Sequence, residues 1–229
     1  MKVRLLSAGA AQGLVGALGA DLAAAGLDVD ATYGAVGVIR DAVAGGEAAD
    51  VVILSSSVVA ELEASGDLVA GSAREIGFVP TGIAVRDGDP LPDVSTPAEL
   101  KAALEAADAI FQPDPQKATA GIHLARVMRD LGVDPGNVRA YPNGHAAMTA
   151  MAVTCGLGRV IGCTQATEII AAPGVVYVGP LPEDCALTTG YSIAIGTQVR
   201  SAEAARALIA LLVSDGTRGL RERSGFAAR

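Results

Sequence analysis

Aromatic side chains are scarce in this chain of 229 residues, which has three Phe, four Tyr and no Trp. Sites that stack nucleotide bases are usually built on aromatic platforms, and this chain can build few of them. Basic residues are also in deficit, since 17 Lys and Arg face 25 Asp and Glu, for a formal net charge of -8. Binding to a phosphate backbone requires a basic face. These two shortages exclude nucleic acid as a partner.

Cysteine and histidine are also sparse, with three and two residues. Cys155, Cys163 and Cys185 show no CxxC spacing, so the sequence predicts neither a disulfide framework nor a structural zinc site. The two histidines do not stand in a His/Asp/Glu cluster with metal-ligand spacing. We therefore predict no metal and no cofactor.

Long apolar runs are missing, although 51% of the residues are hydrophobic and the mean hydropathy is +0.41. No run approaches the roughly 18 residues that a membrane-spanning helix needs, so no membrane insertion is expected. The first seven residues read as a strand, whereas a secretory signal has a charged start, an apolar stretch and a cleavage site. This start predicts a cytoplasmic protein, or a periplasmic one if a signal was removed.

Short β-rich runs alternate with Ala-rich helical stretches, which is the pattern of an α/β fold with a largely parallel sheet. Two long extended runs, at 76–86 and 186–199, bracket a complete second set of strands and helices. We predict two lobes: residues 1-82 plus 186-229 form a discontinuous lobe 1, and residues 83-185 form an inserted lobe 2. The two crossings predict a two-strand hinge with a ligand cleft beside it.

The most informative stretch is a polar turn at 114–123 that leads from an apolar strand into a helix. Small residues such as Thr119 leave the first helical turn uncrowded, with N–H groups that lack intrahelical partners. Lys117 adds a full positive charge to the partial charge of the helix dipole, so the turn favours an anion. An ordinary strand-to-helix turn with a solvated lysine is the alternative.

Recurrence of this pattern favours the anion site. Small or polar residues followed by a helix occur at three further places, which are residues 7–13, 34–37 and 55–57. Ser55 and its two neighbouring serines follow a strongly apolar strand, and the carboxyl ends of such strands are where α/β sheets usually place ligands. Serines that only cap a helix explain the same pattern.

Five ionisable or polar side chains lie near other turns. His145 follows Asn143 and Gly144 at a helix start, where the helix dipole favours a neutral imidazole that accepts a proton. His123 belongs either to a solvated helix face or to the rim of the cleft. Gln165 is a hydrogen-bond donor for a carboxylate, whereas Glu168 is expected to be a solvated helix residue. Cys163 is either an activated thiol at a helix start or a buried apolar side chain, and the second arrangement is the commoner.

Several phrases together resemble the molybdate-binding-protein branch of the periplasmic solute-binding proteins, over nearly the whole chain. They are Tyr33-Gly34-Ala35-Val36-Gly37 before the strand at 50–53, the turn from Asp114-Pro115 to Ala120-Gly121, and Arg223-Ser224-Gly225-Phe226. The resemblance implies a type II binding-protein fold that holds an oxyanion with hydroxyls and helix-start amides. The ligand contacts predicted from the resemblance and from the turns are Ser7, Ala8, Gly34, Ala35, Val36, Ser55, Thr119, Asn143, Cys163, Thr164 and Gln165.

This chain departs from the family pattern at two positions. Ala35 and Val36 stand where the family usually supplies a serine, and the family's tyrosine near Cys163 and Thr164 is missing. The same branch includes aconitate isomerase, which acts on a tricarboxylate.

Two hypotheses follow from the resemblance and its departures. In the favoured one, the protein is a cytoplasmic isomerase of an unsaturated carboxylic acid such as aconitate, with His145 and Lys117 as catalytic residues. In the other, it is a non-catalytic solute-binding protein that delivers molybdate or another oxyanion to an ABC transporter.

Overall fold

The computed structural model describes residues 1–228, and their contacts divide the chain into two units. Unit 1 comprises Met1–Val79 together with the chain from Thr189 onward, and unit 2 comprises Pro80–Thr188. The sequence prediction places these crossings after residue 82 and before residue 186. At both places where the chain passes from one unit to the other, it does so in or beside a long strand.

Strands and helices alternate along the chain, as the sequence pattern predicts. In chain order they are β1 (Lys2–Ala8), α1 (Gln12–Ala17), α2 (Gly19–Ala24), β2 (Asp28–Gly34), α3 (Val36–Ala44), β3 (Val51–Ser55), α4 (Ser56–Ser65), β4 (Arg74–Arg86), α5 (Pro97–Glu105), β5 (Ala109–Pro113), α6 (Thr119–Leu131), β6 (Val138–Tyr141), α7 (Gly144–Ala152), β7 (Val160–Gln165), α8 (Ala166–Ile170), β8 (Val175–Pro180), β9 (Thr188–Ile195), α9 (Ala202–Val213) and α10 (Arg218–Arg223).

The sheet of unit 1 has the order β2-β1-β3-β9, followed by the first part of β4. β1, β2 and β3 are parallel, and β9 runs antiparallel to β3. Every residue of β3 is buried, as an apolar run covered on both faces should be. Because the three parallel strands point the same way, their carboxyl ends meet at one edge of this sheet.

The sheet of unit 2 has the order β8-β4-β7-β5-β6. β5, β6 and β7 are parallel to one another, and β4 is antiparallel to both β7 and β8. One face packs in an apolar cluster with α5 and α6, and the other packs with α7. The carboxyl ends of β5, β6 and β7 therefore share one edge, from which α6, α7 and α8 begin.

Helix α6 shows how the sequence sets this packing. Leu124, Val127 and Met128 are spaced three and four residues apart, so they form one buried stripe against the sheet. The helix ends at Gly132, which has the left-handed conformation usual after a helix. Within residues 1–228, no helix has the length and apolar character needed to cross a bilayer.

Candidate functional site

In unit 1, the predicted contacts gather at the carboxyl edge of the sheet. Ala8 pairs with Gly34 across β1 and β2, and Ser7 pairs with Ile53 of β3, two residues before Ser55. Ser7 is fully buried, and its hydroxyl donates to the carbonyl oxygen of Ala8 at 2.9 Å. The topology therefore places the turns after all three parallel strands next to one another.

Two of these turns begin helices without side-chain caps. α3 begins after Ala35 and α4 begins after Ser55, and neither of these residues accepts a hydrogen bond on its side chain from its own helix. The first N–H groups of such helices lack intrahelical partners and carry partial positive charge, as an anion site requires. The hydroxyl of Ser56 instead pairs with the hydroxyl of Ser192 at 2.8 Å.

The turn predicted at residues 7–13 leads into a helix that carries Leu14 and Val15, although this helix already begins at Gln12. The chain first makes a 3₁₀ turn at Gly9–Ala11, and the helix that follows, α1, has six residues. The three residues of the 3₁₀ turn are small and buried. No long helix dipole points at Ser7, so its backbone is the weakest of the predicted anion contacts in this unit.

Tyr33 lies at this edge as well, and the sequence reasoning overlooked it. It pairs with Ser7 across the sheet and is half-buried. Burial raises the pKa of its hydroxyl to about 12, so the phenol stays protonated at neutral pH. A neutral phenol is a hydrogen-bond donor for an oxyanion. Its position directly before Gly34-Ala35-Val36 was the available signal.

In unit 2, the turn before α6 has the predicted form. The Asp114 carboxylate accepts hydrogen bonds from the N–H groups of Gln116 and Lys117, at 2.7 and 3.1 Å. Ala118 precedes the helix without a side-chain cap, so the N–H groups around Thr119 are open to a ligand. Lys117 is exposed, and in the described part of the chain its ammonium is not in an ion pair.

A close backbone approach fixes this helix start. A Cβ atom on Gly121 would meet the carbonyl oxygens of Pro113 and Asp114. Only glycine fits there, because any side chain would push the first turn of α6 away from the end of β5.

The start of α7 is different, because a carboxylate of the chain occupies it. Asn143 caps the helix by accepting a hydrogen bond from the N–H of Ala146 at 2.8 Å. The Glu168 carboxylate accepts hydrogen bonds from the N–H groups of Gly144 and His145. The Glu168 carboxyl group therefore occupies two N–H groups beside Asn143. The predicted ligand contact of Asn143 itself stays a prediction.

Glu168 is buried, which corrects the prediction of a solvated residue. Burial raises the pKa of this carboxyl group, although hydrogen bonds from the Thr164 hydroxyl and from three backbone N–H groups oppose the rise. Thr164 is fully buried and donates its hydroxyl to Glu168. The Thr164 hydroxyl thus has a partner inside the unit, and the predicted ligand contact of Thr164 stays a prediction.

Cys163 does not reach a ligand either. It lies in the middle of β7 rather than at a helix start, and its side chain is fully buried in the apolar cluster with Ile83 and Leu100. Burial raises the pKa of the thiol to about 12, so it is neither acidic nor accessible. The buried apolar arrangement, expected as the commoner of the two, is therefore confirmed, and the predicted ligand contact of the Cys163 side chain is wrong.

The remaining polar candidates of unit 2 stay near the edge. His145 is half-buried in the first turn of α7, as predicted, while Gln165 is buried and precedes the five-residue helix α8. His123 is half-buried, and its Nε2 donates to the carbonyl oxygen of Cys185 at 2.7 Å, so the expectation of a solvated face is wrong. Among residues 1–228, no group of three or more His, Cys, Asp or Glu side chains is arranged to hold a metal ion.

Two further buried polar residues at this edge, Thr81 and Gln112, were missed. Each carries a side-chain oxygen without a hydrogen-bond partner among the described residues. Their signal in the sequence is a polar residue inside an apolar strand.

The family model for bacterial extracellular solute-binding proteins matches residues 3–227 of this chain. The chain belongs to this family. Aconitate isomerase of Pseudomonas sp is 31% identical to it over 188 residues, which are 82% of this chain and 71% of that protein. The predicted relationship to the solute-binding branch that includes aconitate isomerase is confirmed.

Solved structures of oxyanion-binding proteins share the fold. The periplasmic molybdate-binding protein of Azotobacter vinelandii superposes with a TM-score of 0.78 at 16% identity, over 99% of each chain. The sulfate-binding protein SubI of Mycobacterium tuberculosis superposes with a TM-score of 0.74 at 19% identity, over 99% of this chain and 86% of that one. These likenesses confirm the predicted fold class of a two-lobed periplasmic binding protein.

Proposed function

We propose that this member of the solute-binding family binds a small carboxylate and isomerises an unsaturated carboxylic acid such as aconitate. The observation that carries the proposal is the 31% identity to aconitate isomerase. The start of α6, which has no side-chain cap, supplies N–H groups for carboxylate oxygens. Such groups bind charge without needing clustered arginines.

The reaction we propose is an allylic proton shift. A base removes a proton from the carbon next to the double bond, and the electron pair spreads over the allyl system and its carboxylate. The proton then returns to the other end of the allyl system, and the double bond has moved. Hydrogen-bond donors that face the developing negative charge stabilise this intermediate.

We assign the proton transfer to His145 and the carboxylate binding to Lys117. His145 is half-buried in the first turn of α7, and histidine is the side chain best suited to move protons near neutral pH. The hydrogen bonds of Glu168 and Asn143 hold the backbone of that turn in place. Lys117 presents an exposed ammonium beside the open start of α6.

Substitution of His145 by alanine separates binding from turnover. We expect His145→Ala to lose conversion of cis- to trans-aconitate, while the dissociation constant changes by less than about tenfold, or roughly 1.4 kcal/mol. Calorimetry and a conversion assay measure the two quantities. Thr149→Ala, at an exposed position of the same helix, is the matched control and should retain both. A variant that keeps full turnover would remove His145 from the mechanism.

A second candidate function is a non-catalytic oxyanion-binding protein that works with an ABC transporter. The likeness to molybdate- and sulfate-binding proteins favours it. Calorimetry with molybdate, sulfate, citrate, aconitate and ATP distinguishes the two, because this candidate requires tight binding of an inorganic oxyanion and no turnover. The cytoplasmic location stays a prediction, which fractionation of the native cells would test.

A further inference from the structure

The first turn of α7 has an acceptor for each of its N–H groups. The first N–H groups of a helix lack intrahelical partners, and they can bind an anion only where no other acceptor takes them. The Glu168 carboxyl group accepts hydrogen bonds from the N–H groups of Gly144 and His145. The Asn143 side chain accepts from the third N–H group, that of Ala146, at 2.8 Å. The backbone at the start of α7 is therefore closed to a ligand anion.

Glu168 is held in this place from several sides. It is 7% exposed, and the Thr164 hydroxyl and the N–H of Gln165 donate to its carboxyl group as well. A Cβ atom on Gly144 would meet this carboxyl group, so the absence of a side chain there lets the group lie directly against the backbone of α7. All four donors are uncharged. The carboxyl group thus takes the place that an anion would take at this helix start.

The start of α6, which lies at the same edge of the sheet, is open by comparison. Ala118 precedes α6 without a side-chain cap, and Lys117 is exposed beside it. The third helix that begins at this edge, α8, has only five residues, of which Glu168 is one. Since α7 is closed, a carboxylate that binds to backbone N–H groups of unit 2 has its place at the start of α6.

We propose that Glu168 is a positioning residue that fixes the orientation of the ligand. By closing the start of α7, it directs a ligand carboxylate to the start of α6 and leaves an uncharged part of the ligand beside His145. In an allylic proton shift, this uncharged part is the carbon that gives up its proton. A carboxylate bound to the N–H of His145 would keep that carbon away from the imidazole. The inference rests on the proposed function only in taking His145 to act on the ligand.

Removal of the carboxyl group should create the anion site that Glu168 now fills. Glu168→Ala leaves the N–H groups of Gly144 and His145 and the Thr164 hydroxyl around a space that acetate can enter. We expect sodium acetate at about 100 mM to raise the Tm of Glu168→Ala by about 3 °C or more beyond its effect on the wild type, with sodium chloride as the reference salt. Glu168→Gln is the matched control. Its amide fills the same space and its carbonyl still accepts hydrogen bonds, so it should respond to acetate as the wild type does.

Amide NMR signals locate the acetate. In Glu168→Ala, and in the more polar variant Glu168→Ser, acetate should shift the backbone amide signals of Gly144 and His145. In the wild type it should leave both signals unchanged, because their N–H groups already donate to Glu168. The wild-type measurement tests the inference even if neither variant folds, since a shift of these two signals there would show that the start of α7 is open.

Kinetics with cis-aconitate test the effect on orientation. In Glu168→Ala a substrate carboxylate can bind at the start of α7, so kcat should fall by about tenfold or more while KM does not rise. The conservative variant Glu168→Gln should recover most of this loss. A purely structural role would lower the stability of Glu168→Ala without giving it an affinity for acetate.

The outcomes separate this inference from the proposed function. A specific acetate effect in Glu168→Ala, without turnover of any unsaturated acid by the wild type, supports the closing role of Glu168 and contradicts the isomerase. Turnover by the wild type, with no acetate effect specific to Glu168→Ala or Glu168→Ser, overturns the inference and leaves the isomerase standing. An equal acetate effect in Glu168→Gln and Glu168→Ala also overturns it.

Discussion

Two buried carboxylates in this chain are stabilised in opposite ways. Burial by itself would raise the pKa of Asp50, but hydrogen bonds from the Arg200 guanidinium and from the N–H groups of Arg4 and Arg200 outweigh it and lower the pKa to about 2. Glu168 has only uncharged donors, and burial raises its pKa. The ionised form therefore stabilises the fold at Asp50, and the protonated form does so at Glu168.

The raised pKa of Glu168 predicts a stability that declines with rising pH. An acid whose pKa is higher in the folded state stabilises the fold below its unfolded pKa, here 4.5, and this contribution is lost as the pH rises through the folded value. The free energy of unfolding of the wild type should therefore fall relative to that of Glu168→Gln as the pH rises from 4.5. Urea denaturation at several pH values measures this difference.

The exposed residue Glu75 supplies the control for this comparison, since Glu75→Gln should follow the wild type at every pH. Parallel stability curves for the wild type and Glu168→Gln would contradict the account of Glu168.

The lowered pKa of Asp50 predicts the opposite trend. Its contribution is present above the unfolded pKa of 3.8 and is lost as the pH falls toward about 2. Asp50→Asn should destabilise the protein by about 2 kcal/mol at neutral pH and remove this part of the acid sensitivity. Thermal unfolding between pH 7 and pH 2.5 tests it, with exposed Asp28→Asn as the control. An unchanged acid transition in Asp50→Asn would be inconsistent with the ion pair to Arg200.

At the residue scale, the sequence predicted where several turns lead into helices but not which side chains these turns contact. His145 could be placed at a helix start because Pro142, Asn143 and Gly144 precede it. Glu168 could not be assigned, since nothing in the local sequence shows that it reaches back to the start of α7. Cys163 was misplaced because the strand continues to Gln165, which turns the thiol toward the core.

The helix starts determine which parts of the fold can bind an anion. At the start of α6, the neighbouring backbone leaves no room for a side chain at Gly121. Gly121→Ala should destabilise the protein by about 2 kcal/mol, because the added methyl group meets the carbonyl oxygens of Pro113 and Asp114. The same variant should weaken anion binding by moving the first turn of α6. Denaturation and calorimetry measure the two effects.

Gly16→Ala is the matched control for this element, since a Cβ atom there has no neighbour within 4 Å and lies in a helix. It should leave stability unchanged or raise it by up to about 1 kcal/mol. Equal stability of Gly121→Ala and Gly16→Ala would contradict the predicted clash of a methyl group at position 121 with the neighbouring carbonyl oxygens.

At the element scale, hydrophobic periodicity predicted most strands and helices, because burial of apolar stripes dominates their formation. The ends of elements were less predictable. The strand expected at Ala109–Phe111 continues to Pro113, which is how Gln112 came to be inside a buried strand. The turn predicted at residues 7–13 is shorter in the structure, because α1 already begins at Gln12 after a 3₁₀ turn of three small residues.

For the whole molecule, binding of an anion has to overcome a net charge of -8. Long-range electrostatic repulsion therefore works against an anionic ligand, and short-range groups must supply the affinity. Helix starts without side-chain caps provide such groups in both units, and Lys117 adds a local positive charge in unit 2. This arrangement agrees with family membership and leaves the choice of ligand to a few residues.

The central claim is that this protein moves a double bond in a small carboxylic acid. The most direct test is proton NMR of cis-aconitate and of other unsaturated di- and tricarboxylic acids incubated with the purified protein in D₂O. The account predicts conversion to an isomer, with deuterium entering at the allylic carbons, and no conversion by His145→Ala. Absence of conversion for every acid, together with tight binding of molybdate or sulfate, would contradict the claim and favour the oxyanion-binding function.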